Sequence, residues 1–195
     1  MGDDHVVQEV RGALASGDVV AATLRVLDAY GAEVFGFLAG VLDDIDEARE
    51  AYALMGERAR ERLTTFGCPD DLRTCLYGLA CHALDARRSQ EDPSRGRTPS
   101  PDPLLAPPAA PSAGRRRRPD ALARLRSKLP ARDRELLVLR VDRRLSWDEL
   151  ATVFLGDDAS AGDRVRETLR LRSRYRVIKR WLAREATARG ILDGG

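Results

Sequence analysis

Apolar residues recur along this chain at helical spacing, in blocks divided by polar, glycine- or proline-containing breaks. Val6, Val7, Val10 and Leu14 set a short helix over His5–Ala15, closed by Ser16–Gly17. After Asp18 a longer run follows from Val19 to Leu42, through Leu24, Val26, Leu27, Tyr30, Val34, Phe35, Phe37, Leu38 and Val41. It is apolar around much of its circumference, the pattern of a helix buried against several neighbours. Gly31, Gly36 and Gly40 weaken it intrinsically but let other helices approach closely. Beyond Asp43, Asp44 and Asp46, a charged third helix runs from about Glu47 to Leu63, with Ala48, Ala51, Tyr52, Met55, Ala59 and Leu63 facing inward. TTFGCPDD is a loop, in which Pro69 is a first-turn residue or a stop. Leu72–Arg88 is a fourth helix, its inner face drawn from Leu72, Leu76, Leu79, Ala80 and Ala83.

Helical periodicity returns only after a long interval. Leu122, Leu125 and Leu129, then Leu136, Leu137, Leu139 and Val141, supply helices that cover a pair lying between Leu145 and Leu182. Ser146 with Glu149 three residues on has the spacing of a capping box. Leu150, Ala151 and Phe154 form the first helix's apolar face, and Gly156 with Asp157 and Asp158 stops it. In the second helix Leu171, Tyr175, Ile178 and Leu182 make one narrow stripe, to be buried against Leu150 and Phe154.

Between the two groups of helices, residues 89–118 turn to proline, serine, alanine, glycine and arginine. Such a stretch cannot bury enough apolar surface to offset its ordering entropy, so it reads as a flexible linker. The expected fold is therefore all-α: a helical domain over residues 1–88 and a second over 119–195, the latter holding a helix-turn-helix. Arg115–Arg118, at the linker's end, read either as a solvated tail or as a tether for phosphates.

Charge follows the same division. The whole chain carries a net charge of only +2, yet residues 1–90 sum to −7 and residues 119–195 to +6. Opposite balances suggest different partners for the two halves. The basic half concentrates its charge roughly opposite the apolar stripe of the last helix, where Arg176, Arg180 and Arg184 stand with Ser173, flanked by Arg170, Arg172 and Lys179. Solvated helices ordinarily mix signs, because Glu/Lys pairs one turn apart stabilise them. From Leu169 to Leu182 there is no acidic residue, a one-sidedness that costs self-repulsion and is repaid by a polyanion. A short helix, a break and a basic second helix is the arrangement that lays a recognition helix in the major groove of duplex DNA. Arg170, Ser173 and Arg174 are then placed for base edges, and Arg176, Lys179 and Arg180 for phosphates.

Other chemistries find less support. Cys68, Cys75 and Cys81 lack disulfide or zinc-ligand spacing and read as reduced thiols of a cytoplasmic protein. No signal peptide or membrane-spanning run stands out. His5 and His82 are the only histidines, and no phosphate-cradling glycine loop, HExxH or GxSxG occurs. Trp147 and Trp181 read as partly buried edge residues before they read as base-stacking platforms.

Against this background the segment LPARDRELLVLRVDRRLSWDELA (Leu129–Ala151) closely resembles the opening of region 4 in bacterial RNA polymerase sigma factors of the extracytoplasmic-function type. RLRSRYRVIKRWL (Arg170–Leu182) looks like that family's recognition helix. AEVFGFLAGVLDDIDEAREAYALMGER (Ala32–Arg58) is similar to the first part of sigma region 2, and LRTCLYGLACHALDARR (Leu72–Arg88) resembles its promoter-melting helix. The chain departs from the family at Cys75, where tryptophan is usual, and at Cys81–His82, where arginine–asparagine is usual. In place of the glutamine-and-acid signature that docks on the polymerase clamp, it has Arg49–Glu50 followed by Glu57. Gly156–Asp163 also makes the break between the last two helices longer than a three- or four-residue turn.

The resemblance implies a transcription initiation factor without enzymatic activity, cofactor or metal, which binds core RNA polymerase and directs it to double-stranded promoter DNA. It assigns Arg49, Glu50 and Glu57 to the polymerase. To DNA it assigns Arg73, His82, Arg87 and Arg88 in the first half, and Arg170, Arg172, Ser173, Arg174, Arg176, Lys179 and Arg180 in the second. An anti-sigma protein is a further partner of this class. Two other readings stay open at the level of sequence: a stand-alone helix-turn-helix regulator, and a degenerate sigma paralogue serving as a protein-interaction module.

Overall fold

The structure, a computed structural model, describes residues 3–42, 44–90, 107 and 121–191. It is all-helical, and its residues fall into two compact units, 1–108 and 109–195. The interval read as a linker, with Arg115–Arg118, lies outside the described residues apart from Ser89, Gln90 and Pro107, as do Asp43 and Pro119.

The first unit contains α1 (Asp3–Ala15), α2 (Val19–Val41), α3 (Ile45–Phe66) and α4 (Leu72–Gln90). The starts of α2, α3 and α4 have a local cause. Asp18 accepts from the Ala21 amide ahead of α2, Asp44 from the Asp46 and Glu47 amides ahead of α3, and Asp71 from the Thr74 amide ahead of α4. Gly67, at φ +76°, ends α3, so Pro69 falls in the loop and not in a helical turn. The α2 helix lies at the centre, packed on α1, α3 and α4. Its face meets Tyr52 and Met55 of α3 and Leu76, Tyr77 and Leu84 of α4 in a core sealed from solvent. Phe35 packs edge-on against Tyr52 at 5.7 Å between centroids, and Phe37 against Tyr77 at 5.5 Å. Gly31 is required by this contact: a Cβ there would collide with the Tyr52 hydroxyl. Burial pushes the Tyr52 phenol up to about 12. All six inward positions expected of α3 are buried. On α4, Leu79 is only half-buried, whereas Thr74, Tyr77, Cys81 and Leu84, absent from the expected face, are buried.

The second unit contains α5 (Ala121–Arg126), α6 (Ala131–Leu137), α7 (Trp147–Leu155) and α8 (Ala161–Ala188). A π-helical turn, Val138–Asp142, extends α6. Widening the helix by a residue shifts the side chains that follow, and Val141, expected in the core, is exposed while Val138 and Leu139 are buried. The capping box ahead of α7 is present in both directions: the Glu149 amide donates to the Ser146 hydroxyl, and the Ser146 amide to the Glu149 carboxylate. Gly156, at φ +90°, ends α7 as its position required. The buried face of α7 is Leu150, Ala151 and Val153. Phe154 is only half-buried, with the Arg132 guanidinium 5.4 Å from its ring centre.

Candidate nucleic-acid interface

The 28-residue α8 packs against α5, α6 and α7 along its inner side. Thr168, Leu171, Ile178 and Ala186 are buried there, with Tyr175, Trp181 and Leu182 half-buried beside them. The stripe expected from sequence is therefore the inner face, though Tyr175 and Leu182 are not sealed from water. The helix begins nine residues before Arg170, because Ser160 caps it: the Asp163 amide donates to the Ser160 hydroxyl, which donates to the Asp163 carboxylate. That hydrogen bond, with one from Arg166, holds the Asp163 carboxyl below the usual carboxylate range. The break between α7 and α8 thus shrinks to Gly156–Ser160. Arg170, Ser173 and Arg174 sit in the middle of the helix and not near its start.

Between Val165 and Arg184 every exposed charged residue is basic: Arg166, Arg170, Arg172, Arg174, Arg176, Lys179, Arg180 and Arg184. The one acidic residue in that span, Glu167, is half-buried and pairs with Arg170 at 3.2 Å. The cations differ in how firmly they are held. Arg174 donates twice to the Asp133 carboxylate of α6, at 2.5 and 2.6 Å, and this hydrogen-bonded charge raises the guanidinium further above its ordinary range. Because Asp133 is buried, Arg174 serves the packing of α8 on α6. The Trp147 ring has Arg140 at 4.9 Å and Arg172 at 5.7 Å from its centre, with Tyr175 edge-on at 5.6 Å. Lys179 lies 5.2 Å over the Tyr175 ring. Trp147 is thus occupied by protein groups. Ser173, Arg176 and Arg180 are exposed on the outward face.

In the first unit the cationic residues assigned to DNA are drawn into pairs. Arg73 donates to both oxygens of Glu33 on α2, at 2.5 and 3.2 Å, and Tyr77 donates to the same carboxylate at 2.8 Å. Arg88 pairs with Asp85 at 2.8 Å. Arg87 pairs across helices with Glu50, joining a residue assigned to DNA with one assigned to polymerase. Arg49 pairs with Asp46 at 2.6 Å. Glu50 and Glu57 lie two turns apart on one face of α3, Glu50 exposed and Glu57 half-buried. His82 is exposed, whereas its neighbour Cys81 is buried.

Arg62 donates to the Cys75 sulfur at 3.3 Å, and burial pushes the Cys68 thiol up against the opposing pull of Arg11. Among the described residues no group of three or more His, Cys, Asp and Glu side chains is placed to hold a metal ion. Nor, among them, is any helix long and apolar enough to cross a membrane.

Sequence periodicity missed Val165, Arg166 and Leu169, which the early start of α8 adds to the outward face. The signal that locates them is Ser160 followed three residues on by Asp163, a cap-like spacing like the one recognised at Ser146–Glu149. Comparison of the chain with protein-family models, with curated proteins and with solved structures found no match in any of the three.

Proposed function

We propose that this protein is a transcription initiation factor of the sigma type, which binds core RNA polymerase and directs it to promoter DNA. The observation that carries the reading is the outward face of α8, a run of exposed cations with no exposed acid between Val165 and Arg184. Such a surface binds a polyanion by releasing its counterions. A nine-residue α7, a five-residue break and a basic α8 held by its inner face support a helix-turn-helix, in which α8 enters the major groove. The acidic first unit supports a protein partner in preference to DNA, with Glu50 and Glu57 facing the polymerase and the exposed pair to Arg87 exchangeable at small cost. Arg73 and Arg174 act in this scheme by fixing helices, and Arg170, Arg172, Arg176, Lys179 and Arg180 of α8 meet phosphate or base. The protein works in the cytoplasm with reduced thiols, and the chemistry of RNA synthesis belongs to the polymerase.

Run-off transcription with purified core polymerase and fragmented genomic DNA tests the proposal. A defined start that depends on this protein is the expected result. Charge reversal at Glu50 and Glu57 should lower polymerase binding while leaving duplex binding intact. Sequence-selective duplex binding with no start and no polymerase binding would overturn the initiation role and leave a stand-alone regulator.

A further inference from the structure

The first turns of α8 carry two apolar side chains that the fold leaves uncovered. Val165 and Leu169 stand one turn apart, each 61% exposed, while the inner face of the helix is satisfied by Thr168, Leu171 and Ile178. Arg166 and Arg170 flank them with side chains 74% and 79% exposed. Arg166 pairs with Asp163 of its own helix, a contact that costs little to exchange at an exposed site, while Arg170 pairs at 3.2 Å with Glu167, whose side chain is only 12% exposed. Aliphatic groups interleaved with arginine match the major groove, which offers thymine C5 methyls beside the N7 and O6 acceptors of guanine, and the span from Val165 to Arg184 exposes no acid that would repel phosphate. The N-terminal turns of a recognition helix are also the ones that reach base edges.

We propose that Val165 and Leu169 read thymine methyl groups, with Arg166 and Arg170 on neighbouring guanine edges, so that the selected duplex places T and G at adjacent steps. The inference rests on the DNA-binding reading above and moves base recognition toward the start of the helix.

The full chain, alone and with core polymerase, would be used to select from a pool of random duplexes. The enriched duplex would then be remade with uracil in place of each thymine, which removes only the methyl. Wild-type protein should lose affinity by about fourfold at a contacted position, the factor for one methyl group taken from water. Val165→Ser and Leu169→Ser should each lose the preference at one contacted thymine, and the double variant at both, with an unchanged circular dichroism spectrum because both sites are exposed. Equal binding of thymine and uracil duplexes by the wild type overturns the inference while leaving DNA binding in place. A fourfold preference that survives both substitutions overturns it too, as does a Leu169→Ser protein altered only in polymerase binding or self-association, which would make the pair a protein contact. If no duplex is enriched under either condition, the DNA-binding reading fails and this inference with it.

Discussion

Arg174 and Asp133 show how one side chain on a cationic helix can serve the fold while its neighbours face outward. Their two parallel hydrogen bonds tie α8 to α6, and Asp133 is buried while Arg174 reaches it from the edge. Arg174→Ala leaves that carboxylate without its guanidinium, and a charge-assisted pair of this kind is worth on the order of 2 kcal/mol. Denaturant unfolding should show the loss as a lower midpoint. Adding Asp133→Ala should recover part of it, because the two changes remove one interaction. At conditions where the variant is folded, its binding to random duplex should keep the wild-type salt dependence. A slope reduced by about one unit would instead identify Arg174 as a phosphate contact. Arg73 belongs to the same class: with Tyr77 it closes on Glu33 and holds α4 to α2.

At the scale of the element, α8 depends on its first turn. The Ser160 hydroxyl and Asp163 carboxylate cap it, and they mark a helix start ahead of Val165, Arg166 and Leu169. The folded-state pKa of Asp163 lies below its unfolded value, so the unfolded chain binds the extra proton first as pH falls. Stability from this cap is therefore fully present above the ordinary carboxylate range and is lost as pH drops through the depressed value. Titration of the Asp163 carboxyl by NMR should give a midpoint below the ordinary 3.8. Ser160→Ala should move it back toward that value. A midpoint that ignores the substitution would remove the Ser160 hydroxyl as the main cause. Elsewhere the elements were legible because local chemistry decided them: Ser146–Glu149 and Gly156 fixed both ends of α7, and Asp18 the start of α2. The π-helical turn after α6 was not legible, since inserting a residue changes which side faces the core without changing the apolar composition.

For the whole molecule, each unit has a core of its own, with Phe37, Met55, Tyr77 and Leu84 in one and Leu125, Leu139, Leu150 and Ile178 in the other. Tryptic cleavage at Arg95 or Arg97, which lie between α4 and α5 in the sequence, should therefore leave two fragments that stay helical and melt cooperatively. Loss of helicity in both on cleavage would show that they share one core. The sequence by itself determined the helical class, the two apolar groupings, the caps that begin and end α7, and the inner stripe of α8. Those features follow from spacing and capping within a few residues of one another. Only the tertiary structure decided which cations are spoken for, because a pair such as Arg174–Asp133 or Arg73–Glu33 joins residues roughly 40 positions apart, and no helical periodicity encodes it. It also decided that Cys81 is buried beside an exposed His82, and that Val141 faces water. Packing against neighbouring helices selects one orientation of each helix, and with it the side chains left free to meet a partner.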